Sequence, residues 1–275
     1  MQIKSGKSLR FIIIFLYLIA FIYMRIIQKY PITWLLLIYI IIAVILLGLF
    51  YTNILGLLGN YFYAVGDYQR AEKYLKKAIK KETIQPTVYL NYGIILLFRE
   101  NYDEALKYFE EARNHNKSAA IDKNLSLTMG SCYIAMGKNE EAIKELEALK
   151  NGYSEGRERV LNVLAYAYLK EGNIKNALSN INLSLEKNPS AAAAYEIKGL
   201  IYYKLNDFET AKAALLKALE ADKSLLDSNF YLGLIYEHED NTALAKKYFM
   251  AASLCNATKL NSTTKEEIEM KLSKY

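Results

Sequence analysis

The chain is short of the residues that mark several protein classes. Its 275 residues include only 3 prolines and 13 glycines, which argues against collagen-like, disordered and loop-rich all-β proteins. Its 2 cysteines, Cys132 and Cys255, lie far apart and form no CxxC motif, so a disulfide framework or a thiolate metal site is not indicated. Acidic residues are absent from residues 1–60, where the only charges are Lys4, Lys7, Arg10, Arg25 and Lys29.

The net charge of +6 therefore belongs to the N-terminal segment. Residues 61–275 contain 30 Lys and Arg against 29 Asp and Glu and are almost neutral. A nucleic-acid-binding domain needs clustered cations on its folded surface. This charge distribution predicts no nucleic-acid partner.

Two apolar stretches follow the basic flank at residues 1–10. Residues 32–51 have no charged side chain, and about 20 apolar helical residues are enough to cross a hydrocarbon core about 30 Å thick. The first stretch, about residues 9–27, requires Arg25 to extend its guanidinium to the interface. We expect a transmembrane helical hairpin within residues 11–51. A cleaved signal peptide is the alternative for the first stretch, but no small-x-small pattern follows it.

The basic residues on either side of the spans predict their orientation. Cations flank the first stretch at its N-terminal side, and a second group runs from Arg70 to Lys81. Both ends of the hairpin are then cytoplasmic. If the first stretch does not span, everything after residue 51 lies outside the cell.

A repeat runs through the rest of the chain. A small residue recurs at intervals of 34, 37, 35, 34 and 34, and each time an alanine follows twelve residues later and a large apolar residue four after that. The small residues are Gly59, Gly93, Gly130, Ala165, Gly199 and Gly233. These offsets place the small residue on one helix and the large residue on the facing side of a second helix. Polar pairs such as Gly66-Asp67 and Glu239-Asp240 separate the two helices.

The pattern of small residue, large residue, alanine, large residue, small residue resembles the tetratricopeptide repeat (TPR) family. The resemblance implies an all-α fold, an α-solenoid in which helix pairs stack into one core. The predicted repeats are residues 52–85, 86–119, 123–156, 158–191, 192–225 and 226–259, with loop insertions near Asn114–Asp122 and Asn151–Gly156. Residues 260–275 are expected to form a capping helix, with Thr263 and Glu266 as its capping box. The helix that begins at residue 32 is expected to continue into the first repeat, over about 50 Å.

Residues for catalysis or metal binding are scarce. The chain has 2 histidines, and His115 is in an inter-repeat loop. His238 is followed by the acidic residues Glu239 and Asp240 at a predicted helix end. Consecutive side chains there point in different directions, so they do not converge on one metal ion. No Ser-His-Asp set, HExxH motif or glycine-rich phosphate loop occurs. The sequence predicts that the protein is not an enzyme and has no cofactor, metal or small-molecule substrate.

The family resemblance implies a concave groove, lined by the first helix of each repeat, that receives a protein or peptide partner. The helix positions that line the groove in the family correspond in this chain to Asn91, Ile94, Phe98, Arg159, Asn162, Tyr166, Lys170, Glu196, Leu200, Tyr203, Phe230 and Leu234. Such a mixture of aromatic and polar groups is typical of protein recognition sites.

These features predict an integral membrane protein whose TPR array, on the cytoplasmic side, is a scaffold or adaptor for a protein or peptide partner. The membrane partner is the lipid bilayer around the hairpin. Two alternatives stay open: an accessory or regulatory subunit of a membrane enzyme, and an extracytoplasmic envelope-assembly factor.

Overall fold

The computed structural model describes residues 14–21, 23, 32–81, 85–116, 118–150, 157–258 and 260–275. Helices and their connections account for all of these residues, and no strand occurs among them. Residues 14–21 are helical, and the helices that follow are α1 Ile32–Ala64, α2 Tyr68–Lys80, α3 Pro86–Phe98, α4 Tyr102–His115, α5 Ala119–Ala135, α6 Asn139–Lys150, α7 Arg157–Lys170, α8 Ile174–Lys187, α9 Ala192–Lys204, α10 Phe208–Ala221, α11 Leu226–His238, α12 Thr242–Ser253 and α13 Lys265–Leu272.

Asp and Asn side chains begin the second helix of several pairs. Asp67 accepts a hydrogen bond from the backbone N–H of Arg70, and Asp207 accepts one from that of Thr210. Each bond satisfies one of the N–H groups that the first turn of a helix leaves unpaired. The capping box of α13 is formed by Thr264 and Glu267, one residue later than the sequence predicts.

The turn between the two helices of a pair contains one residue in the left-handed conformation, at the same position of each repeat. Its φ is 79° at Gly66, 59° at Glu100 and 57° at Asp240. Glycine has no Cβ to clash in this conformation. In the sixth repeat the left-handed residue is Asp240. The polar break there begins one residue later than the predicted polar pair Glu239-Asp240.

The small residues lie where two helices approach most closely, as the repeat predicts. A Cβ on Gly93 would come within 2.5 Å of the Phe109 ring, and one on Gly199 within 2.5 Å of the Leu215 side chain. Phe109 and Leu215 are themselves completely buried. The small residue on the first helix and the large residue on the second thus form the core of each hairpin.

Helix α1 has two arms of different character. The helix continues from Ile32 to Ala64 into the first repeat, as predicted, but its arms Leu36–Gly48 and Phe50–Ala64 meet at a bend of 55°. The second arm packs on α2, with Gly59 against Leu75. Within the described residues, no single helix has both the length and the apolar composition to cross a bilayer. The two arms of α1 have this length and composition only when they are counted together.

Several sequence predictions fall outside the described residues. These are the basic flank at residues 1–10, much of the first predicted span, the turn between the spans, and the insertion near Asn151–Gly156.

Candidate peptide-binding groove

The first helices of neighbouring pairs form one face of the array. Helices α3, α5, α7, α9 and α11 contact one another in series, in addition to their own partner helices. Side chains one helical turn apart on these helices therefore point to a shared surface. We call this surface the groove.

Four predicted groove residues line one cavity in its C-terminal half. Asn162 and Tyr166 on α7 and Glu196 and Leu200 on α9 surround a space of about 260 Å³. Ligand pockets for small molecules and cofactors are about 300–1,000 Å³. The cavity is therefore slightly smaller than this range.

Two carboxyl groups face this cavity, from Glu196 and from Asp227 on α11. The Oε1 atom of Glu196 accepts hydrogen bonds of 3.0 Å from both the backbone N–H and the hydroxyl of Ser228. Burial, and then the negative charge of Asp227, nevertheless raise the pKa of Glu196 to about 7. Burial also raises the pKa of Asp227. Two carboxyl groups in one poorly solvated site resist being charged together.

A segment of the chain itself crosses the groove beside the cavity. This connector, residues 254–258 and 260–264, lies between α12 and α13, and Leu260 and Asn261 form part of the cavity wall. Asp227 accepts hydrogen bonds from the backbone N–H groups of Ser262, at 2.8 Å, and Thr263, at 3.0 Å. The hydroxyl oxygens of Tyr166 and Ser262 are 3.0 Å apart. The groove thus already holds a stretch of chain through its backbone amides.

Three further predicted residues lie at the C-terminal end of the groove. Tyr203 packs edge-on against Tyr231, with ring centroids 4.7 Å apart. Phe230 is only 6% exposed and contacts Phe249 within the core, while Leu234 packs against the same cluster. Helix α13 adds Ile268 to this cluster, so Phe230 and Leu234 serve packing here.

The remaining predicted residues do not join the cavity. Asn91 donates a hydrogen bond to Asn60 on α1, and Ile94 packs against the N-terminal core. Phe98 is exposed at the end of α3, beside Tyr68. Arg159 is exposed in the first turn of α7, and the amine of Lys170 lies 5.2 Å from the centre of the Tyr166 ring.

Sequence reasoning missed Asp227 and the connector. Asp227 is 3% exposed and lies next to Ser228 and Asn229, which are equally buried. A run of three polar residues on the packed face of a helix is the signal that was available, since buried polar groups need hydrogen-bond partners.

The helix pairs, their left-handed turns and their stacked first helices define an α-solenoid. The profile of the tetratricopeptide repeat family matches residues 57–119, 162–225 and 198–253, and a second tetratricopeptide repeat profile matches residues 99–165. The chain belongs to the TPR family.

Known relatives share this fold at low sequence identity. A TPR repeat-containing protein of Methanocaldococcus jannaschii is 26% identical over 239 residues, covering 69% of this chain and 42% of the relative. The chain thus spans less than half the length of that relative. A TPR protein from Parabacteroides merdae superposes with a TM-score of 0.66 at 18% identity, covering 82% of this chain and 84% of that one. PilW, a type IV pilus biogenesis factor, superposes with a TM-score of 0.60 at 17% identity, covering 76% of this chain and 96% of PilW.

Proposed function

We propose that this protein is a membrane-anchored TPR adaptor that binds an extended segment of a protein partner in its groove. The observation that carries the proposal is the connector, whose backbone amides are held by Asp227 beside an open cavity. A groove that binds one stretch of chain in this way has the geometry for a second. Binding, with no catalysis, is the role we assign to it.

The apolar N-terminal helices support the membrane anchor. Trp34, Ile40 and Val44 on the first arm of α1 are 59%, 60% and 63% exposed. A core helix of a water-soluble protein buries such side chains, whereas lipid covers them in a membrane. The helical residues before α1 pack against it through Tyr17, whose ring centroid lies 4.6 Å from that of Tyr39. This contact is consistent with the proposed helical hairpin.

Photo-crosslinking tests the groove. A photoreactive amino acid at Ala193, an exposed residue of the cavity wall, is expected to form an adduct with the partner in cells. Ala213 is the matched control, because it is exposed on α10, the second helix of the same pair. Equal adducts from both positions, or none from Ala193, would contradict binding in the groove.

The membrane anchor and its orientation need separate measurements. We expect the full chain to stay in the membrane after alkaline carbonate extraction and a version without residues 1–51 to be released. For orientation, an Ala213→Cys variant that also carries Cys255→Ser is treated with a membrane-impermeant maleimide. Cys132 is completely buried and serves as an internal thiol that stays unlabelled. Labelling only after lysis supports the cytoplasmic side, and labelling of intact cells favours the envelope-assembly alternative.

The version without residues 1–51 also tests the enzyme-subunit alternative. An adaptor that recognises its partner through the groove keeps the Ala193 adduct after this deletion when both proteins are in solution. A subunit that recognises its enzyme within the bilayer loses it.

A further inference from the structure

The cavity presents oxygen atoms that have no hydrogen-bond donor. Asn162 is 9% exposed, and its side-chain oxygen Oδ1 accepts no hydrogen bond from any described residue. Both hydrogen bonds to Glu196 end on Oε1, which leaves Oε2 without a donor in the described part of the chain. Asn162 and Glu196 line the same cavity. The buried Oδ1 of Asn162 calls for a hydrogen-bond donor, and Oε2 of Glu196 can accept a hydrogen bond from the same ligand.

The charges around the cavity specify the sign of the ligand. Glu196 and Asp227 are both acidic, and Asp222 adds to the negative potential at Glu196. Two cations lie near this acidic pair, since Lys170 interacts electrostatically with Asp227 and with Lys204. Lys170 lies over the Tyr166 ring, and the amine of Lys204 donates to the backbone oxygen of Leu169. Neither lysine forms an ion pair with Glu196 or Asp227 within the described structure. A cationic ligand complements this potential.

The residues that line the cavity do not suit a metal ion. Among the described residues, no group of three His, Cys, Asp or Glu side chains is placed to hold one metal ion. Ca²⁺ takes six to eight oxygen ligands, typically from several carboxylates and carbonyls. The cavity walls also include the aliphatic side chains of Ile134, Ile197 and Leu200. Apolar walls around an acidic end suit a charged group on an aliphatic stem.

We propose that this cavity binds the side chain of a lysine or arginine in an extended segment of the partner protein. The ammonium or guanidinium group donates to Glu196 Oε2 and Asn162 Oδ1, and the aliphatic stem lies against Ile197 and Leu200. The partner backbone runs beside the connector. This inference rests on the proposed function, because it names the residue type that the groove selects.

A random phage-displayed peptide library, selected on the full chain in lipid nanodiscs, tests the proposal. We expect the enriched peptides to share one Lys or Arg. Glu196→Gln keeps the shape of the side chain and removes its charge, and we expect it to weaken the binding of the best peptide about tenfold or more. Replacing the lysine of that peptide with norleucine is expected to weaken binding to the same extent. Glu186→Gln is the matched control, because Glu186 is exposed on α8 and does not line the cavity; we expect it to leave binding unchanged.

The outcomes separate this inference from the proposed function. Peptides that compete for the Ala193 crosslink but share no basic residue, or that bind Glu196→Gln as well as the unmodified chain, overturn the cationic pocket and leave the adaptor function standing. Failure to enrich any peptide that competes for this crosslink overturns both. Far-UV circular dichroism of each variant at the same pH checks that a loss of binding does not come from unfolding.

Discussion

The Glu196→Gln substitution is expected to change how the stability of the groove depends on pH. The native pKa of Glu196 is about 7, against an ordinary value of about 4.5. The native protein therefore holds a proton on Glu196 that the unfolded chain releases above pH 4.5. The free energy of unfolding must then fall as the pH rises from 4.5 to about 7, and it levels off above that. The amide that replaces the carboxyl group does not titrate, so the variant lacks this decline.

The size of the effect follows from the two pKa values. At about 1.4 kcal/mol for each pH unit, the interval between 4.5 and 7 corresponds to about 3 kcal/mol. Part of this value comes from Asp227, because its negative charge is one of the causes that raise the pKa of Glu196. Tyr166 and Cys255 also face the glutamate, but both keep their protons in this pH range because burial raises their pKa values above 9.

Hydrogen–deuterium exchange is the appropriate assay, because a repeat array opens locally as well as globally. We would measure the opening free energy of α9 and α11 from below pH 4.5 to above pH 7, corrected for the intrinsic exchange rate. The difference between Glu196→Gln and the unmodified chain should grow with pH, and Glu186→Gln, at an exposed position outside the cavity, is the control for replacing a glutamate. A constant difference for Glu196→Gln, or a groove that becomes more stable with rising pH, would refute the assignment of Glu196 as a buried carboxyl group whose pKa is raised to about 7.

Two further substitutions test the packing described above. Asp227→Ala removes the acceptor for the connector, so exchange in residues 260–272 should increase by the equivalent of about 2 kcal/mol; unchanged protection there would mean that α13 holds the connector without Asp227. Gly199→Ala places a methyl group within 2.5 Å of Leu215. Overpacking costs about 1–3 kcal/mol, and alanine is about 1 kcal/mol more favourable than glycine in a helix. We therefore expect the free energy of unfolding, measured in urea, to fall by about 1 kcal/mol. Gly48→Ala is its control, because no atom lies within 4 Å of that new methyl group. A loss of stability at both positions would argue against close helix contact as the cause.

The helix pairs were predictable because their information is local and repeated. The spacing of Gly199, Ala211 and Leu215 recurs along the chain, and each copy forms the same contact between two adjacent helices. One error occurs where the repeat gives no constraint. The capping box lies in the non-repeated tail, and two successive threonines both fit the motif, so only the hydrogen bonds select Thr264.

The candidate site was predictable only in part. Asn162 and Glu196 occupy equivalent positions on neighbouring first helices, so the repeat alone brings them to one surface. The connector is different, because it is bound mainly through the backbone N–H groups of Ser262 and Thr263. Backbone donors are the same in every residue and leave no mark in a sequence. The burial of Phe230 follows from the return of α13, which the repeat pattern does not describe.

The contact between Tyr166 and Ser262 joins residues that are 96 positions apart. In an ordinary solenoid each unit touches only its neighbours, so the ends can fray one unit at a time. Here the tail returns to α7 and is also tied to α11 through Asp227, which closes the last units into a loop. The final helix pair cannot peel away while these two ties hold. Unravelling of the array should therefore start from its N-terminal end, and the C-terminal units should open together.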